Sequence, residues 1–524
     1  MTIFGAIRHA VSAAAICALA LSASTVASLW LARSAAAQKA KDTLRLVTID
    51  PFNSVDAYYT GGNEVAFLAR ELYGRIVVFD EYNSKFIPEL AKSYERVNPT
   101  TIDFEIRDDL TFHSGNTLSA DDVVYTLNWA IDPKVKLRNK ERYTWVQKVE
   151  KLGPNKVRLT GKQPFASDIF TIAYRFYIVD SKVHAAMPDK ANYGRQNPST
   201  TGLYKVVSVD ENQGVKLERY EPNMGKYAHR RAPIKHIQTM PLPDRQTQMA
   251  QLITGGVDMV REISSDMAEQ LQGNPNVAMT PMQSKLLAYV NFDALGRSGN
   301  TAFKDVRVRQ AFIQAIPRDQ IVQTYVAGAA VAETPNAICF PKNDACAPTT
   351  KPLSYDPAAA RKLLAEAGVA DGLEFELSVF QPYRAIAEAM AGELRKVGLR
   401  ATVAPYTQSV LTKKREAGEL TAQLQVYPTF AQPTMDNILN HFFEGGRDYA
   451  NDPIIEAAAK AGYGETDTPK RTAIYQKAID RVNEMAYVYP FSEQPTVYGH
   501  SKDVKIEPNL FSLSEVRLGD FFWR

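Results

Sequence analysis

Seven histidines and three cysteines have the widest chemical repertoire in this 524-residue chain, and their spacing argues against catalysis. His9, His113, His184, His229, His236, His441 and His500 are scattered. None lies four residues from another, the spacing that sets two imidazoles on one helix face around zinc. Gly-x-Gly-x-x-Gly, Walker-type and Gly-x-Ser-x-Gly strings, which would cradle phosphates or expose a nucleophilic serine, do not occur. Cys339 and Cys346 flank Phe340-Pro341-Lys342-Asn343-Asp344-Ala345 with no histidine nearby, which is not a zinc pattern. No cofactor or metal is expected. A Ser/His/Asp triad needs no sequence adjacency, so a hydrolase whose triad forms only in space stays open as an alternative. The residues as spaced suit capture of a molecule rather than its conversion.

The N-terminus bears on the compartment. Arg8 precedes an uncharged, Ala- and Leu-rich run from Ala10 to Ala32, and Ala35-Ala36-Ala37 follows. This reads as a signal peptide over residues 1–37 cleaved after Ala37, with retention as an anchor the alternative, because about 20 apolar residues can span a bilayer. Ala14-Ala15-Ile16 before Cys17 lacks the small residue that a lipoprotein site wants. Cleavage would leave 487 residues, enough for two or three domains. It would also leave 59 basic against 58 acidic residues, a balance with no bulk attraction for nucleic acid or anionic lipid. In an oxidising compartment Cys339 and Cys346 are expected to form a disulfide that pins a surface loop.

The elements that would position a site are legible in places. Leu44 and Leu46 mark a first strand, and Val65, Leu68, Ala69 and Leu72 an amphipathic helix that Gly74 should end. Phe104 and Ile106 alternate with Glu105 and Arg107 as in a half-buried strand. Ser114-Gly115-Asn116 is turn chemistry, and Ser119 with Asp122 opens a helix. Thr254-Gly255-Gly256-Val257-Asp258 should end one helix and begin a strand. Leu286–Asp293 is a continuous apolar run, suited to a strand buried on both faces. Asp356 and Pro357 open a helix that Gly368 closes. Leu373–Val379, Ala385–Val397 and Leu399–Val403 read as a βαβ unit.

Three strings, Phe104–Tyr125, Phe303–Ile316 (whose Ala311, Phe312, Ala315 and Ile316 form one helical stripe) and Tyr355–Gly368, resemble in order and content the extracellular solute-binding proteins of family 5, the dipeptide- and oligopeptide-binding type that serves ABC importers. The resemblance runs from about Leu44 to Val504. It implies an α/β, two-lobed periplasmic binding protein of type II with an extra satellite domain and a hinge between the lobes. Lobe I would comprise 38–80, 192–290 and 495–524, the satellite 81–191, and lobe II 291–494. The crossovers would lie near Val290–Phe292 and Pro490–Gln494. The implied function is non-enzymatic capture of a peptide or peptide-like solute by a monomer in the periplasm, with delivery to a membrane permease and ATPase. A sensor or chaperone presenting a ligand on the same fold is the further alternative.

The resemblance also implies a lining. Phe52, Asn53, Tyr58 and Tyr59 occupy the first ligand-contacting region of the family, Tyr427, Thr429 and Phe430 the central one, and Glu493 and Gln494 the late crossover. Arg384, following Gln381-Pro382-Tyr383, could pair a carboxylate bidentately. Peptide-binding members hold the peptide ammonium with an aspartate where this chain has Thr429, and Thr cannot neutralise a buried ammonium. An amine would need another acid, with Glu493, Asp436 and Asp56 as candidates. Otherwise the solute would be modified, opine-like or sugar-linked.

Overall fold

The computed structural model describes residues 41–49, 53–60, 63–81, 83–370, 372–429, 433–507 and 516–524. The expected signal segment, Phe52 and Phe430 lie outside the described residues.

Two large sheets organise the molecule. The first has seven strands in the order Tyr204–Asp210, Gly214–Arg219, His236–Pro241, Thr43–Thr48, Met259–Val260, Thr496–Ser501, Val277–Met282. Leu44 and Leu46 of its fourth strand are buried as the alternation requires, and Leu46 pairs in parallel with Met259. The second has five strands in the order Leu399–Tyr406, Leu373–Phe380, Ala422–Pro428, Leu286–Phe292, Val488–Glu493. Strands Leu373–Phe380 and Leu399–Tyr406 are parallel, and helix Arg384–Arg395 connects them, which is the expected βαβ unit.

The apolar run Leu286–Phe292 is buried on both faces because both faces of its sheet are covered. Ala288, Val290 and Phe292 pack with Phe312 and Met390, whereas Leu287 and Tyr289 pack with Met435, Phe442 and Tyr475. The first sheet instead shares one core with a four-stranded sheet, Ala91–Asn98, Thr101–Ile106, Lys156–Gly161 and Val146–Lys151. In that smaller sheet Phe104 and Ile106 are buried and Glu105 is half-buried. Gly115 takes φ +92° in the turn, and the Asp122 carboxylate accepts the Ser119 amide at 2.9 Å, opening helix Ala120–Ile131. His113 is spent on packing, with Nε2 3.0 Å from the Gly202 carbonyl and its ring edge-on to Tyr220.

Two local expectations change. Helix Asn63–Leu72 buries its Val65, Leu68, Ala69 and Leu72 stripe as expected, but Gly74 is not its left-handed cap. Gly74 opens the short strand Gly74–Arg75, where a Cβ would stand 2.3 Å from Thr201 Oγ1. Close approach, not backbone handedness, calls for glycine there. The crossover expected at Val290–Phe292 falls inside a strand that pairs along its length with Ala422–Pro428. The chain passes between the two large sheets at 283–285 and returns at 494–495.

Candidate functional site

The two crossings lie side by side, and one carboxylate joins them. Glu493, at the end of strand Val488–Glu493, is fully buried. Its Oε1 accepts the amides of Ser284 and Lys285 at 2.9 and 2.8 Å, and its Oε2 accepts the Glu333 amide at 2.7 Å. The Ser284 hydroxyl donates to the Gln494 carbonyl, and the Gln494 amide to the Leu286 carbonyl at 2.8 Å. Lys285 adopts φ +53°, a left-handed conformation that costs a non-glycine residue about 1 kcal/mol and persists where the surroundings impose it. Its amide is held by Glu493, and its carbonyl accepts the amide and hydroxyl of Thr429 at 3.1 and 2.8 Å. Its ammonium pairs with Glu333 and lies 4.9 Å from the Phe340 ring centroid.

Beside this junction is a space of about 310 Å3, part of it open to solvent. Phe79, Glu81 and Tyr174 line it from one side, Lys285 at the crossing, and Lys342, Asn343 and Pro433 from the other. The two sides also touch directly. Ser167 Oγ donates to buried Asp436 at 2.5 Å, the Ala166 amide to the Tyr463 carbonyl at 2.9 Å, and Phe165 stacks on Tyr463 with centroids 4.9 Å apart. Burial raises the Asp436 pKa, partly offset by the hydrogen bond from Ser167.

The structure brings Thr429, Glu493 and Gln494 together at the crossing and disperses the other residues picked from sequence. Tyr58 is core, with its hydroxyl on the Tyr177 carbonyl at 2.7 Å and its ring edge-on to Trp129. Tyr59 is half-buried near the same Trp129, and Asn53 is exposed. Tyr427 stacks on His441 at 3.9 Å inside the second lobe's core. Arg384 opens its helix at the surface and pairs with Glu388 at 2.7 Å. The lining residues Glu81, Lys285 and Lys342 went unnoticed in sequence because no local pattern marks a charged residue as facing a cleft. Lys342 was visible only as part of the loop between the cysteines.

All three acids considered for an amine are engaged within the fold. Glu493 is held at the crossing and Asp436 by Ser167. Asp56 accepts the amides of Tyr58 and Tyr59 at 2.6 and 3.0 Å, and burial outweighs these bonds and pushes its pKa up to about 6. A carboxyl raised in the folded state favours folding only when protonated, so stability falls as pH rises from about 3.8 to about 6. Asp56→Asn keeps an acceptor for both amides and removes the buried charge. We expect denaturant titrations to show the variant more stable by roughly 2–3 kcal/mol at pH 7, with the gain vanishing by pH 3.5. A gain independent of pH would refute this.

Cys339 and Cys346 are paired, with Cα atoms 6.0 Å apart. The loop they close is anchored on both flanks. Asn343 Oδ1 accepts the Phe340 amide at 2.7 Å, the Asp344 amide donates to the Pro433 carbonyl at 2.6 Å, and Arg471 grips Asp344 at 2.9 and 2.8 Å.

Comparisons with known proteins agree with this architecture. The glutathione-binding protein GsiB of Shigella dysenteriae serotype 1 is 25% identical over 482 residues, covering 86% of this chain and 89% of its own. Heme-binding protein A of Haemophilus influenzae is 24% identical over 457 residues, covering 80% and 81%. The crystal structure of the ABC transporter substrate-binding protein CtaP of Listeria monocytogenes superposes with a TM-score of 0.80 at 19% identity, covering 92% of this chain and 99% of that one. The family described as "Bacterial extracellular solute-binding proteins, family 5 Middle" matches residues 85–450, about 70% of the chain. With two α/β lobes meeting at a stapled double crossing, the chain belongs to the bacterial extracellular solute-binding proteins of family 5.

Proposed function

We propose that the protein captures a peptide or peptide-like solute between its two lobes in the periplasm and delivers it to an ABC permease and ATPase. The observation that carries this reading is the lined space beside the double crossing. Two short, adjacent connections suit a hinge, and a ligand touching both walls binds the closed form more tightly than the open one, which is what drives closure. The lobes would be 38–80, 192–282 and 495–524 for the first, with 81–191 as its satellite, and 286–493 for the second. Residues 1–37 would direct export, and the Cys339–Cys346 pair would be a disulfide in that compartment. Relatives named for glutathione and heme span quite different solutes, so relatedness at this distance leaves the ligand open. Thr429, buried and bonded to Lys285, is consistent with amine recognition at a position other than the usual one.

Native mass spectrometry of gently purified protein tests the capture reading. We expect a co-purifying small solute that raises the thermal midpoint when added back to stripped protein, and that is returned unchanged. Protein that carries no solute, and whose midpoint does not respond to a periplasmic small-molecule extract, would overturn the reading.

A further inference from the structure

We propose that residues 164–167 on one wall of the cleft and Asp436, Tyr463 and Gly464 on the other form a latch that holds the lobes together without help from a solute. The protein stripped of solute then rests predominantly closed, and a solute adds to a closure that the latch already favours. The inference rests on the capture reading only in taking the space beside the crossing as the place of the solute.

The seam joins parts of the fold that share no core. Ser167 precedes helix Asp168–Arg175, whose Phe170 and Ile172 are buried with the first sheet. Asp436 lies in the first turn of helix Met435–Phe443, Tyr463 ends helix Pro453–Tyr463, and both helices pack in the core of the second lobe. Contact is continuous over four residues. The Pro164 carbonyl oxygen packs over Gly464, where a Cβ would stand 3.6 Å away. Phe165 stacks on Tyr463, the Ala166 amide donates to the Tyr463 carbonyl at 2.9 Å, and Ser167 Oγ donates to Asp436 at 2.5 Å. Each is a contact between protein atoms and needs no solute to form. The seam also borders the space on both walls: helix Asp168–Arg175 carries Tyr174 to it, and Pro433 lies three residues before Asp436. The cleft is thus held at the crossing by Glu493 and at the seam by Ser167.

Ser167 argues for a latch rather than chance proximity. It stands at the N-cap of helix Asp168–Arg175, where a serine hydroxyl ordinarily accepts one of the free amides of the first turn. This hydroxyl caps nothing on its own helix and donates instead to Asp436 in the other lobe. Both partners are buried. Asp436 therefore sits where the N-terminal ends of two helices meet, one from each lobe. The two surfaces are also fixed before they meet. Asp168 grips Arg96 at 2.9 and 2.6 Å, tying the start of its helix to strand Ala91–Asn98. On the other wall the Asp344 amide holds the Pro433 carbonyl at 2.6 Å, just ahead of the helix that carries Asp436. Surfaces set in place beforehand lose less conformational freedom when they join.

The test compares the mature chain, stripped of solute by unfolding and refolding, with its Ser167→Ala and Ser167→Ala/Tyr463→Ala variants. Hydrogen exchange reads the seam directly. The Ala166 amide should be protected in the stripped wild type and exchange about tenfold faster or more in both variants. Amides of helix Asp168–Arg175 should keep their protection, because the Ser167 hydroxyl is not their cap. In small-angle scattering the stripped double variant should have a larger radius of gyration than the stripped wild type. The latch is overturned if the Ala166 amide exchanges freely in the wild type, if the variants leave its exchange unchanged, or if wild type and double variant scatter alike. It is equally overturned if the helix loses protection together with Ala166, since Ser167 would then serve only its own lobe. Neither measurement uses a solute, so the outcome is separate from native mass spectrometry. A seam that opens in the variants of a protein carrying no solute keeps the latch and removes the capture reading; a trapped solute with an unchanged seam does the reverse.

Discussion

Replacing Glu493 by alanine should destabilise the protein by about 3–5 kcal/mol, seen as a lowered denaturant midpoint. The side chain is fully buried and accepts three backbone amides, those of Ser284, Lys285 and Glu333. Alanine would strand all three in a site from which water is largely excluded. Each buried unsatisfied group costs about 1–3 kcal/mol, more when the lost partner was charged. Partial relaxation of the crossing keeps the total below the simple sum. The left-handed Lys285 would also lose the bond to its amide that helps impose φ +53°. Glu493→Gln separates hydrogen bonding from volume. Its single carbonyl can still serve Ser284 and Lys285, but its NH2 would face the Glu333 amide, donor against donor. Glutamine should therefore recover part of the loss and no more. Because the staple spans both crossings, the variants should also shift the balance of open and closed forms in small-angle scattering. A full rescue by glutamine, or a loss under 1 kcal/mol with alanine, would show that the crossing does not depend on this carboxylate.

Glu89→Ala should cost a comparable 3–5 kcal/mol, for a different reason. Glu89 is buried and accepts the Arg75 amide at 2.6 Å, Arg230 Nε at 2.8 Å and His229 Nε2 at 2.9 Å. Burial lowers the His229 pKa, and its bond and charge interaction with Glu89 partly offset this. For Glu89 burial pushes the pKa up, but Arg230, the His229 bond and Arg75 together outweigh it and hold the carboxyl well below the usual range. Removing one partner from a buried charge cluster is far more damaging than the cluster is stabilising, because the guanidiniums of Arg75 and Arg230 lose their carboxylate while remaining buried. The folded pKa lies below the unfolded 4.5, so this contribution is complete above about pH 4.5 and is lost as pH falls through the folded value. The gap between wild type and variant should thus be flat from pH 5 to 7 and narrow in acid. As a control, Arg384→Ala at the exposed Glu388 pair should leave the midpoint unchanged within error. Equal effects at the two sites would contradict the argument.

Local chemistry in the sequence determined much of the fold. The Ser119–Asp122 cap, the left-handed Gly115, Gly255 and Gly368, the Asp356-Pro357 helix start and the doubly buried Leu286–Phe292 strand were all legible. Each depends on residues within a few positions of one another, where periodicity and capping act. Those strings also carried the family, and the family carried the two-lobed plan. The assignment of roles to acids was decided only by tertiary structure. Ser167 meets Asp436 across 269 positions, and Ser284 meets Glu493 across 209. No spacing rule connects residues so far apart, so a buried structural carboxylate and a ligand-binding one look alike in sequence. The location of the crossings was hidden for the same reason. An apolar run shows that a strand is covered on both faces, but not which sheet it joins, and Leu286–Phe292 joins the second lobe because its edges pair with Ala422–Pro428 and Val488–Glu493.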